Sequence, residues 1–119
     1  MYAYPDYSIT CEAPRYADKH MDMLTNPTLL VEILSPSTEV YDRGRKAPLY
    51  RDIASLQELL LIAQEKFEVE LHRREADGRW SVFIVVGLEA SVELHSLDYI
   101  LPLRDLYEDV IAHQARGDN

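Results

Sequence analysis

One cysteine, four glycines and no apolar run near the length of a membrane span put several classes of protein out of reach of this 119-residue chain. Cys11 has no second cysteine for an internal disulfide. His20, His72, His95 and His113 are widely scattered and make no zinc pattern with it. Four glycines do not build a phosphate-cradling loop, a dinucleotide fingerprint or a nucleophile elbow, and none of those strings occurs. A helix across a bilayer needs about 20 apolar residues, so the protein is expected to stay out of the membrane. The start, MYAYPDYSIT, has neither a basic leader nor a long apolar stretch. A cytoplasmic location without a signal peptide is therefore expected. Basic residues are also in short supply: 12 Lys and Arg face 21 Asp and Glu, a formal charge of −9. That balance argues against non-specific affinity for a polyanion, except where carboxylates are offset by bound cations or basic residues cluster locally. Arg43, Arg45, Lys46 and Arg51 form such a cluster, which reads either as a solvated helix face or as a local contact.

What is present fits one α/β domain over residues 1–113 with a tail at 114–119. Residues 3–10 read as a short strand, and 12–27 as a polar loop bounded by prolines. Residues 28–34, TLLVEIL, are nearly continuous apolar sequence, the pattern of a strand covered on both faces. After Ser35-Pro36-Ser37-Thr38 a helix is expected over 39–53, with Pro48 kinking it or opening a new first turn. Residues 57–64 read as a strand, and 67–74 as a second with Phe67, Val69 and Leu71 on one face and Glu68, Glu70 and His72 on the other. Asp77-Gly78 signals a hairpin into a strand at 79–86. A short strand at 91–94 and an amphipathic helix over 101–113, with Leu103, Leu106, Tyr107 and Val110 inward, complete a mixed α+β sheet flanked by helices.

Glu32 is the most informative residue. Flanked by Leu30, Val31, Ile33 and Leu34, its carboxylate would cost several kcal/mol to bury without partners. It either turns toward solvent or an arginine, or serves as a metal ligand or acid–base group. Asp6, after Pro5 at the start of the first strand, is the natural second carboxylate, since two carboxylates from adjacent strands suit a hard divalent cation. The backbone carbonyl of Ile33 would complete the protein's share of the shell. Lys46, fourteen residues after Glu32, could aim an ammonium at the same strand end to orient an attacking water or neutralise developing charge. Tyr50, one turn on, either packs in the core or reaches substrate. Gln64 is a plain strand-end residue or a polar contact to the site.

As a set, YPDYSITC, NPTLLVEILSPSTEVYDRGRKAPLYRDIASLQELLLIAQE, ELHRREADGRW and GLEASVELHSL resemble the Uma-type endonuclease family, part of the restriction-endonuclease-like PD-(D/E)XK superfamily. The resemblance covers roughly Tyr4 to Val110, and VEILSPSTEVYDRGRK is its most specific string. It implies a restriction-endonuclease-like core, a Mg²⁺ (or Mn²⁺) site and hydrolysis of DNA phosphodiester bonds. It also implies that Asp6 is the aspartate of the Pro-Asp pair, that Glu32 is the glutamate of the E-x-K strand, and that Lys46 is the catalytic lysine. Where the superfamily pattern puts lysine two residues after the glutamate, this chain has Leu34, so the charge is expected from the next helix. Relatives of this type carry a helix and strands before the Pro-Asp strand, so a shortened version is expected here. The alternative expectation is a non-catalytic derivative that forms a homodimer through the sheet edge so left open.

Overall fold

The six residues ELLLIA form a strand in which every position is buried, and that requires cover on both faces and a neighbour at each edge. This strand, β3 (Glu58–Ala63), is the centre of the molecule. The structure, a computed structural model, describes residues 7–9, 26–34 and 47–108. Around β3 lie β1 (Tyr7–Ile9), β2 (Leu29–Leu34), β4 (Glu68–Arg74) and β5 (Trp80–Val86), in the order β1-β2-β3-β4-β5. β2 and β3 are parallel, from Leu29 against Glu58 to Leu34 against Ala63, and every other neighbouring pair is antiparallel. A separate two-stranded sheet joins β6 (Ser91–Leu94) to β7 (Tyr99–Pro102).

Each face of the large sheet has its own apolar layer. On one, Leu30, Leu34, Leu59 and Leu61 pack with Leu56 and with Ala47 and Tyr50 of the short helix α1 (Ala47–Arg51). On the other, Leu29, Leu60, Ile62, Val69 and Leu71 pack with Val92 and Leu94 of β6 and with Leu103 and Tyr107 of the second helix, α2, at residues 103–108. Parallel pairing of β2 and β3 demands a crossover connection, and α1 is part of it.

Two polar devices fasten the second layer. Glu58 is 1% exposed, yet both carboxylate oxygens are fully engaged. Its Oε2 accepts from Arg73 Nε at 3.1 Å and from the His95 N–H at 3.2 Å. Its Oε1 accepts from the Ser96 N–H at 2.7 Å and the Ser96 hydroxyl at 2.6 Å. The carboxylate thereby ties β3 to the 3₁₀ turn His95–Leu97 that follows β6. Tyr107 does the same from α2: its hydroxyl lies 2.6 Å from the Ala63 carbonyl and 2.9 Å from that of Glu68, and accepts from the Glu68 N–H at 3.2 Å. Burial raises the Tyr107 pKa above the usual tyrosine value; the Glu68 backbone bond opposes this, and the Glu68 charge adds to it.

Strands β2 to β6 fall within a residue or two of the sequence expectation, and Asp77-Gly78 turns β4 into β5 with Gly78 at φ 87°. Differences cluster at helix ends. Of the helix expected over 39–53, residues 39–46 lie outside the described residues, and helix ends at Arg51. Pro48 stands second in α1, in the first turn, where a missing N–H costs nothing. Residues 101 and 102, expected in the last helix, instead close β7, because Asp98 adopts the left-handed conformation (φ 50°) and turns the chain back on β6. Helix begins only after Pro102. Residues 3–6, residue 10, and the expected loop before Asn26 lie outside the described residues, as does the tail.

Candidate active site

Cross-strand register places Glu32 of β2, Leu61 of β3, Glu70 of β4 and Ile84 of β5 in one row on the face covered by α1. Glu32 is the fourth residue of its strand and only 4% exposed, so the strand does not turn it to solvent. Tyr50 of α1, itself buried, donates its hydroxyl to Glu32 Oε2 at 3.2 Å. Of the two readings of Tyr50, the structure shows the one in which it packs in the core, with its hydroxyl turned onto the Glu32 carboxylate.

Glu70 and His72 project from β4 beside this pair. The Arg51 guanidinium contacts His72 Nδ1, and His72 Nε2 lies 2.7 Å from Glu70 Oε2. Because arginine has only donors, these contacts assign the tautomer: Nδ1 accepts, and Nε2 carries the proton given to Glu70. Arg74 extends the array. Its Nη2 donates to the Arg51 and Ile53 carbonyls at 3.1 and 3.0 Å, closing the C-terminal end of α1. Both guanidinium groups lie over the Trp80 ring, at 5.4 Å for Arg51 and 4.9 Å for Arg74. The Nε of each is buried with no hydrogen-bond partner among the described residues, a cost that the ring face offsets. The helix carrying Tyr50 is thus fixed to β4 by charge as well as by packing.

His72, one of four scattered histidines in the sequence, is 5% exposed and sits inside this network. Sequence reading found the alternation that puts Glu70 and His72 on one face of β4. It had no way to see that α1 covers that face. Arg51 was noticed only as one member of a basic run.

Asp6 and Lys46 lie outside the described residues, as do Arg43 and Arg45. Ile33 follows Glu32 with its side chain in the opposite layer, so its main-chain carbonyl is the group at issue for a metal. Gln64 comes directly after Ala63, at the end of β3 that lies beside Leu34. Among the described residues no three His, Cys, Asp or Glu side chains converge as a metal-binding group. A carboxylate held in an apolar layer is a hard oxygen donor of the kind that suits Mg²⁺, and Glu32 fits such an ion on that chemistry.

The family model of Uma2, described as "Putative restriction endonuclease", matches residues 1–103. This chain belongs to the Uma2 family. Two curated relatives come from Synechocystis sp. (strain ATCC 27184 / PCC 6803 / Kazusa). "Uncharacterized protein sll1609" is 37% identical over 92 residues, 77% of this chain and 52% of that one. "Uncharacterized protein slr1290" is 42% identical over 98 residues, 81% of this chain and 49% of the relative. The chain therefore spans about half the length of the curated relatives it matches. Among solved structures, that of a putative nuclease belonging to DUF820 from Anabaena variabilis superposes with a TM-score of 0.58 at 18% identity, over 78% of this chain and 52% of that one. That likeness establishes the fold, a restriction-endonuclease-like mixed sheet with short helices. No helix among the described residues is long and apolar enough to cross a membrane.

Proposed function

We propose that the chain forms the catalytic core of a Mg²⁺- or Mn²⁺-dependent endonuclease that hydrolyses phosphodiester bonds of DNA in the cytoplasm. The observation that carries this reading is Glu32, a carboxylate kept in the buried centre of a strand and oriented by Tyr50, in a chain of the Uma2 family. In this reading Asp6, Glu32 and the Ile33 carbonyl hold the cation. Asp6 directly precedes in sequence β1, the strand that pairs with β2. A bound divalent cation would polarise the phosphoryl oxygen and make a bound water more acidic. Lys46 would orient that water or neutralise charge developing on the phosphate. It directly precedes in sequence α1, the helix whose Tyr50 donates to Glu32. Pro48 in the first turn of α1 is compatible with this aim, because it leaves Tyr50 on Glu32.

The test is Glu32→Ala in the purified chain, assayed for nicking and linearisation of plasmid DNA with Mg²⁺ or Mn²⁺. Cleavage is expected to vanish while the circular dichroism spectrum and thermal midpoint stay close to wild type. Undiminished cleavage by the folded variant overturns the proposal.

A further inference from the structure

α1 has five residues, well short of the roughly 12–15 at which a helix begins to hold itself. Its place over the sheet is therefore set by what its side chains touch. That place matters most at one atom. The Tyr50 hydroxyl stands 3.2 Å from Glu32 Oε2, beyond the roughly 2.5–3.0 Å usual between two oxygens. A drift of α1 away from β2 by about half an ångström would break this bond.

The residue directly after Tyr50 ties α1 down. Arg51 donates from Nη2 to His72 Nδ1, and His72 Nε2 donates to Glu70 Oε2 at 2.7 Å. The cross-strand neighbours of His72 are Leu59 and Val82, so its ring is set among apolar side chains. The His72 and Glu70 side chains are 7% and 13% exposed. Turning the ring over would put carbon in place of both nitrogens and lose both bonds. Glu70 thus fixes the ring, and the ring fixes the guanidinium. Buried ionic groups of this kind often contribute no more stability than packed apolar side chains would, and their best-attested use is to fix one register. Here the register is that of α1 over Glu32.

We infer that His72 is a positioning residue for the Glu32 carboxylate: held by Glu70, it seats Arg51, and through α1 it keeps Tyr50 within bonding reach of Glu32. The inference rests on the reading of Glu32 as the carboxylate of the site. Two substitutions separate positioning from the filling of space. Asparagine can set its amide oxygen where Nδ1 lies, and so keeps the acceptor for Arg51. Glutamine, closer to histidine in size, sets its amide nitrogen where Nε2 lies and keeps only the donor to Glu70. Filling of space favours glutamine; positioning favours asparagine.

Two measurements on His72→Asn, His72→Gln and Tyr50→Phe test this. The first is the carboxyl ¹³C resonance of Glu32 in the metal-free chain, assigned with Glu32→Gln. It should move in Tyr50→Phe, move the same way in His72→Gln, and keep its wild-type place in His72→Asn. The second is Mn²⁺ affinity by calorimetry. His72→Gln should weaken it roughly 10-fold, the lower end of what loss of an orienting partner does to a metal site, while His72→Asn stays near wild type. Once Tyr50→Phe has removed the bond through which His72 acts, His72→Gln should cost nothing further. A Glu32 resonance unmoved by His72→Gln, a greater effect from asparagine than from glutamine, or losses that add in the double variant would each overturn the inference. If the wild type binds no Mn²⁺ while the resonance follows the expected pattern, the metal reading of Glu32 falls and the positioning of its carboxylate by His72 stands.

Discussion

Replacing Glu58 with glutamine keeps the shape of a buried side chain and removes only its charge and half its accepting capacity. The native carboxylate takes four hydrogen bonds, two on each oxygen, from Arg73, His95 and both donors of Ser96. An amide offers one oxygen, so whichever way it is turned two donors face an NH₂ group. If the oxygen remains toward Ser96, the Arg73 guanidinium and the His95 N–H lose their acceptor; the other orientation strands Ser96. Bonds to a charged group contribute roughly 1.5–3 kcal/mol each, and a buried donor left unpaired adds its own desolvation cost. Glu58→Gln should therefore destabilise the fold by about 3–5 kcal/mol, a large share of the roughly 5–15 kcal/mol typical of a domain. Urea denaturation followed by circular dichroism is the assay. The midpoint should fall at an unchanged slope, since the surface exposed on unfolding is the same. A loss below about 1 kcal/mol would show that the four bonds hold less than their geometry implies.

Tyr50→Phe should weaken Mn²⁺ binding, measured by calorimetry, by roughly 10-fold to 100-fold, the usual effect of removing a group that orients a metal ligand; unchanged affinity would detach Tyr50 from the proposed site. Tyr107, whose pKa is raised by burial, gives an alkaline dependence with a definite sign. Its contribution is intact below the unfolded tyrosine value of about 10 and is lost as pH rises through the higher folded value. Thermal melts of the wild type should therefore fall above pH ~10, and Tyr107→Phe, less stable at neutral pH, should fall less steeply there.

The strands were legible because their signals are local. ELLLIA has no polar position to turn outward, Glu68 to Arg74 alternates, and Asp77-Gly78 supplies a residue suited to positive φ. Glu32 stood out for the complementary reason, as a charge where pattern demanded none. β7 escaped notice because Leu101 and Pro102 run directly into the helical spacing of Leu103, Leu106, Tyr107 and Val110, and nothing in the string reveals that Asp98 reverses the chain first. The Glu70, His72 and Arg51 array was hidden for a different reason. Its members are brought together by pairing between strands and by a crossover helix, which depend on contacts distant in sequence.

The parallel contact of β2 with β3 carries a kinetic consequence. Leu29 pairs with Glu58, 29 positions along the chain, and no hairpin can template that match. Long-range pairings of this kind close slowly, because loop entropy is lost before contacts compensate it. The β3–β4–β5 meander, joined by short turns, has no such delay. Refolding should accordingly build the meander early and join β2 to it late. Tyr50 meets Glu32 only across that late junction, so recovery of the site should lag behind recovery of strand content.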